Sequence, residues 1–236
     1  MKKFLFIVSL SCVVSLGYSQ EASQPIAPVV NVTDVPASPD MIPDNVSLHF
    51  AQCFSRFSYT DSNGNEDPNL SFDLKSAYGI YYTKNLKKGI FLRPELGYKN
   101  LGAVSILNNQ KLDWSLHYMD LNFGVGYQKA FGPLHVYGGL APYLSYVYKA
   151  NQTIGPFYYD MLANNGIKRF DFGINIFAGV RYAFTKTNTV FFEIRNSTGL
   201  NQLETNSEPG EDQSLYNRSV SFHFGMSFNI FKKDAN

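Results

Sequence analysis

Ser115 and His117 stand two positions apart in Trp114-Ser115-Leu116-His117, so on a strand they share one face. A serine beside an imidazole is the start of an acyl-transfer site, in which the ring takes the hydroxyl proton as the oxygen attacks. The sequence offers no third residue to hold the imidazole, and short Ser-x-His pairs are common by chance. The expectation is therefore two residues near the rim of the fold, no catalytic residue and no enzyme. Charged residues recur at the same spacing in Asp73 and Lys75, Arg93 and Glu95, and Glu193 and Arg195, with Asp120, Asp171 and Arg181 as further members. Ions of both signs gathered on one face would pair with one another, because an unpaired buried charge is costly. His49, His135 and His223 are far apart in the sequence and are expected at different heights, so neither a metal nor a cofactor is expected. Glu204, Glu208, Glu211 and Asp212 crowd one polar segment. A solvated surface is the plain reading, and a site for a partner or for divalent cations that bridge surface lipid is the sharper one.

The segment Phe170 to Phe184 shows what kind of element carries these residues. Its even positions are all apolar, while Asp171, Gly173, Asn175, Gly179 and Arg181 occupy odd ones, with Phe177 and Ala183 as exceptions. Strict alternation is the signature of a strand with one greasy and one polar face. Fifteen residues exceed the usual soluble strand of about 5–6 and suffice for a tilted bilayer crossing of about 9–11. If the greasy face meets lipid, the sheet must close, since no open edge survives in hydrocarbon.

Seven more segments alternate in the same way. They are Val46 to Tyr59, Phe72 to Tyr82, Ile90 to Lys99, Trp114 to Gln128, Leu134 to Tyr148, Thr189 to Ser197 and Ser219 to Phe231. Pro94 cannot donate to a ladder and predicts a bulge in the third. In the fourth, Trp114, Leu116 and Tyr118 share one parity and Met119 to Tyr127 the other, which predicts a bulge near Tyr118. Connections after even strands are short (Thr83–Gly89, Lys129–Pro133, Thr185–Asn188). Those after odd strands are longer and polar (Thr60–Asn69, Asn100–Asp113, Lys149–Lys168, Thr198–Arg218). Short turns at one end and long loops at the other are the habit of outer-membrane barrels. A soluble lipocalin-type barrel would instead turn its apolar side chains inward, around a ligand.

Composition narrows the class. Lys2 and Lys3 precede a mostly apolar run to Leu16 and a small-residue cleavage site before Gln20, so residues 1–19 read as a signal peptide. Residues 20–45 hold five prolines among small and polar residues and read as an extended periplasmic linker. No run is long and apolar enough for a spanning helix, and the slightly negative mean hydropathy fits a barrel with a polar lumen. A net charge of +1 argues against nucleic acid as a partner. Cys53 is the one cysteine beyond the signal segment, so no internal disulfide is expected. Sixteen tyrosines and twenty phenylalanines fit aromatic girdles at two membrane interfaces.

Five short stretches add a resemblance: Arg93-Pro94-Glu95-Leu96-Gly97-Tyr98, Tyr118-Met119-Asp120-Leu121, Gly138-Gly139-Leu140-Ala141-Pro142-Tyr143, Asp171-Phe172-Gly173 with Gly179, and Ser197-Thr198-Gly199-Leu200-Asn201. In this order they resemble the PorT-like outer-membrane β-barrel family of Bacteroidetes, over roughly Val46 to Phe231. Asn122 stands where that family often has proline. The resemblance implies an integral outer-membrane barrel, and its namesake takes part in type IX protein secretion.

The sequence thus reads as all-β, an eight-stranded antiparallel transmembrane up-and-down barrel over residues 46–231, with residues 232–236 as a periplasmic tail. Both termini are expected in the periplasm of a Gram-negative bacterium. An eight-stranded lumen is only wide enough for side chains to fill, so the expected role is structural, binding or assembly. The expected partners are outer-membrane lipid and proteins met through the long loops or the basic turns. A narrow channel and a lipid-modifying enzyme are the alternatives.

Overall fold

The computed structural model describes residues 42–60, 70–107, 110–205 and 214–230. The signal segment, residues 20–41, Glu208, Glu211, Asp212 and the 232–236 tail lie outside the described residues. The strands are β1 (Asp44–Thr60), β2 (Asp73–Asn85), β3 (Ile90–Leu107), β4 (Gln110–Phe131), β5 (Leu134–Ile154), β6 (Phe157–Asp160), β7 (Phe170–Ala183), β8 (Asn188–Gly199) and β9 (Ser214–Ile230). Each strand of the ring pairs antiparallel with its neighbours, and β9 returns to β1 along an unbroken register from Asp44↔Ile230 to Thr60↔Ser214. Eight strands close the ring. The short β6 pairs with the far end of β5 outside it.

Alternation decides which way the closed sheet faces. Leu48, Phe50, Leu96, Leu121, Phe123, Ile176 and Phe224 all point outward and are exposed. Arg93, Glu95, Asp171, Glu193 and Arg195 on neighbouring strands are buried inside. The barrel is therefore apolar outside and charged within, as the period of 2 requires once the greasy face is turned out. At the short-turn end Gly132 has φ +62° in the two-residue connection between β4 and β5. That positive φ is the seat such hairpins reserve for glycine, because the turn must follow the twist of its strands.

Four sequence expectations need correction. Asn100–Asp113 is not a loop: β3 and β4 stay paired to Leu107↔Gln110, because the alternation runs on through Leu101, Ala103 and Ser105, all buried inward. Within Lys149–Lys168, likewise, β5 continues to Ile154 and β6 folds back on it. Pro94 makes no bulge. The β3–β4 register is continuous through Pro94↔Phe123, and only the β2 side loses rungs, between Tyr81↔Glu95 and Lys84↔Leu92. A proline at a position that donates to one neighbour only costs that ladder and spares the other.

The fourth correction concerns β4, which keeps its phase throughout. Leu116 and Tyr118 are fully buried on the lumen side, and the irregularity lies on β5, where the pairing steps from His117↔Lys149 to Tyr118↔Val147. Tyr148 is the extra residue. Val147 and Ala150 consequently both face inward. Leu116 and Tyr118 are apolar yet inward because the long-loop end of the lumen is itself apolar. They pack there with Phe57, Leu101 and Ala103, and with Ile167 and Leu203, which the loops fold in as a lid.

Candidate functional site

Strand stagger brings β3 and β8 together across the lumen and settles which charges meet. Arg93 donates to Glu193 at 2.5 and 3.3 Å. Arg195 grips Glu95 with both terminal nitrogens at 2.8 and 2.9 Å and also donates to Glu193 at 2.9 and 3.2 Å. All four side chains are buried, and two cations against two carboxylates leave the cluster neutral. Two-pronged Arg–carboxylate contacts of this kind are the strong, directional form of the bond. The Arg93 guanidinium lies 3.8 Å above the Phe177 ring and 4.7 Å above Tyr81, which adds cation–π attraction on its remaining faces.

A chain of smaller groups extends the cluster to the β1–β9 seam. His49 Nε2 lies 3.4 Å from Glu95, and its Nδ1 lies 3.0 Å from His223 Nδ1. Ser221 Oγ is 2.8 Å from His223 Nε2. His223 can donate from Nδ1 to His49 and accept from Ser221 at Nε2, whereas His49 Nε2 only approaches the Glu95 carboxylate and makes no full hydrogen bond. His49 and His223 are adjacent because their strands are the first and the last and close the ring. The expectation that the histidines sit at different heights is corrected for this pair. His135 stands apart on β5, beside Arg181, and among the described residues no three His, Cys, Asp or Glu converge as a metal site would need.

Toward the long-loop end, Lys99 pairs with Asp120 at 2.7 Å and lies 3.9 Å above the Tyr143 ring. Asn122 and Ser145 complete the Asp120 carboxylate. Lys75 reaches Asp73 at 2.6 Å and Asp113 at 3.5 Å. Asp171 is held by Asn217 at 2.6 Å rather than by a cation. Arg181 is the exception to mutual pairing. It is buried, has no carboxylate partner among the described residues, and rests over Tyr137 at 5.3 Å. It cannot serve Asp171, ten residues away on the same strand and so about 33 Å distant. Glu204, the one described member of the acidic segment, is tied into a bridge with Ile167.

Between the Glu95–Arg195 cluster and the Lys99–Asp120 pair lies a cavity of about 30 Å³, room for about two waters. Five inward aromatics, Tyr81, Phe91, Tyr137, Phe177 and Phe191, fill the level below. From the short-turn end the lumen therefore passes through aromatic, ionic and apolar layers, and each is packed.

Ser115 and His117 lie on the opposite face, outside the barrel. They share the outward parity of Met119, near the long-loop end. Ser115 Oγ is 3.3 Å from His117 Nε2, and the partner missing from the sequence is Tyr98, whose hydroxyl is 2.7 Å from His117 Nδ1. Ser115 Oγ also lies 3.1 Å from Asn100 Oδ1, to which it donates. Both Tyr98 and Asn100 come from β3, so only the β3–β4 register could have revealed them.

Solved structures share this architecture. The outer membrane protein OprG from Pseudomonas aeruginosa matches with a TM-score of 0.52 at 10% identity, over 80% of this chain and 97% of that one. The chain has the fold of an outer-membrane β-barrel. Neisserial surface protein A matches at 0.49 and 14% identity, over 79% and 97%, and a major outer membrane protein from Thermus thermophilus at 0.47 and 10%, over 80% and 100%. No family model matches the chain, and no curated protein matches it by sequence. The PorT-like resemblance therefore rests on its five motifs.

Proposed function

We propose that the protein is an integral outer-membrane barrel with a closed lumen, acting as a structural, binding or assembly component rather than a pore. The observation that carries this reading is the buried Arg93–Glu193–Arg195–Glu95 cluster, which spans the lumen and neutralises itself. Ions that bind one another this completely leave neither a wet path nor a net field to draw solutes. The exposed apolar outer face supplies the membrane contact. Short turns and both termini lie on the periplasmic side in this reading, and the long loops face out.

Binding on that outer side has a concrete location. A groove of about 550 Å³ is lined by Phe170, Phe172 and Leu162 together with Lys168 and Arg169. That combination suits outer-membrane lipid, with acyl chain below and anionic headgroup above. The five PorT-like motifs extend the reading to a component of protein secretion, with partners met through the long loops or the basic turns.

Single-channel recording tests the closed lumen. The purified protein, inserted in planar bilayers and shown folded by a boiling-dependent gel shift, is expected to give no conductance steps. Regular steps from such folded protein would overturn the closed lumen and make the protein a channel.

A further inference from the structure

We propose that Ser115, His117 and Tyr98 form an acyl-ester hydrolase site on the outer wall of the barrel, acting on lipid at the long-loop end. This goes beyond the role proposed above and departs from the expectation of a non-enzyme. It rests on the membrane reading, because lipid must reach the wall.

Geometry carries the inference. His117 Nε2 faces Ser115 Oγ at 3.3 Å, and its Nδ1 is held by the Tyr98 hydroxyl at 2.7 Å. A ring held at Nδ1 with Nε2 toward a hydroxyl has the aim that a general base requires, and it has the tautomer as well when the Tyr98 oxygen accepts from Nδ1–H. Ser115 donates to Asn100 Oδ1 in the structure; turning that amide over brings its nitrogen to Ser115 Oγ and leaves the hydroxyl proton to His117, since a carboxamide offers both a donor and an acceptor end. The register step on β5 falls opposite His117, and irregularities of this kind often re-aim side chains beside active sites. The sole charge in the β5 register opposite this pair is Lys149, the ladder partner of His117. It brings a positive charge to the end of the wall where an oxyanion would develop.

Position names the substrate. Tyr78, Tyr98, Met119, Tyr146 and Phe170 follow one another across neighbouring strands as an outward row. Aromatic rows of this kind mark the membrane interface. Ser115 and His117 lie at this row and just beyond it, at the level where acyl chains join their headgroups. The substrate class is an ester-linked acyl chain of a glycerophospholipid or of an acylated glycolipid.

In the reaction Ser115 Oγ bonds to the ester carbonyl carbon while its proton passes to His117 Nε2. The carbon–alkoxide bond then breaks, and the same proton goes to the departing alcohol oxygen. Water adds to the acyl-serine by the reverse route, giving the free fatty acid and restoring the serine. Tyr98 is a positioning residue, since it acts through His117.

The test uses the purified barrel in two kinds of vesicle, one of diacyl phosphatidylethanolamine and one also containing lipid A. Fatty-acid release and labelling by a fluorophosphonate probe, mapped by mass spectrometry, are read in parallel with flotation and the gel shift. The expected result is labelling at Ser115 and release in at least one vesicle, the productive arm identifying the lipid. Ser115→Ala should lose the label and cut release by about a hundredfold or more. Tyr98→Phe should keep the label, slow release and change its pH profile, which a purely structural tyrosine would not do. A folded, floating barrel with no label at Ser115, or with equal release from Ser115→Ala in both arms, overturns this inference alone. Protein that neither shifts nor floats overturns the membrane reading and the inference with it.

Discussion

Arg195→Met is expected to destabilise the barrel by about 3–5 kcal/mol, read as a lower urea midpoint for loss of the folded gel form. Arg195 is the hub of the lumen, with two bonds to Glu95 and two to Glu193. Methionine keeps most of the side-chain volume, so the loss is electrostatic rather than a cavity. It strips Glu95 of both arginine bonds and leaves Glu193 only Arg93, and a buried carboxylate without its partner bears the full cost of leaving water. Adding Glu95→Gln alone should recover most of the loss, because it leaves the neutral Arg93–Glu193 pair intact and the cluster's net worth against a neutral packed lumen is small. A single variant within about 1 kcal/mol of the parent, the worth of a surface pair, would show that water reaches these groups and that the lumen is open.

The second large effect is expected on the other face. Phe123→Arg should cost about 2–4 kcal/mol in a bilayer, the range for a cation at the lipid-facing midplane. Phe123 lies midway along the outward run from Met119 to Tyr127 on β4, flanked across the ladders by Pro94 on β3. Phe157→Arg is the matched control. Phe157 is also an exposed aromatic, at 73%, but it sits on β6 outside the ring, and the same change there should shift stability by less than about 0.5 kcal/mol. Equal effects at the two positions would mean that the wall around Phe123 does not meet lipid.

The architecture was readable because a period of 2 is written into every strand and survives without knowledge of register. Ile174, Ile176, Ala178, Val180 and Tyr182 need only be counted. What alternation could not give was which inward residue meets which. Arg93 and Glu193 are a hundred positions apart, and only shear around a closed ring brings them together. Arg181 was misjudged for the same reason: it shares a face with the other charges, but among the described residues no carboxylate pairs with it. Hydrophobicity misled where the lumen is apolar. Leu116 and Tyr118 looked outward because they are greasy, although counting back from Asp120 would have placed them inside. Phe177, noted as an exception on the polar parity, carried the opposite signal, and the structure uses it as a platform for Arg93. Tyr98 escaped because a partner supplied by another strand leaves no local motif beside Ser115 and His117.

The most direct test of the account is quenching of a single tryptophan by lipids brominated in mid-chain. Trp114, the only tryptophan in the chain, packs edge-on against Phe57 at the long-loop end. Its replacement by phenylalanine gives a silent background for Phe123→Trp. Tryptophan at position 123 is expected to be strongly quenched in brominated vesicles. An unquenched tryptophan there, in protein that shows the folded gel shift, would contradict it, since the apolar face would then be turned away from lipid.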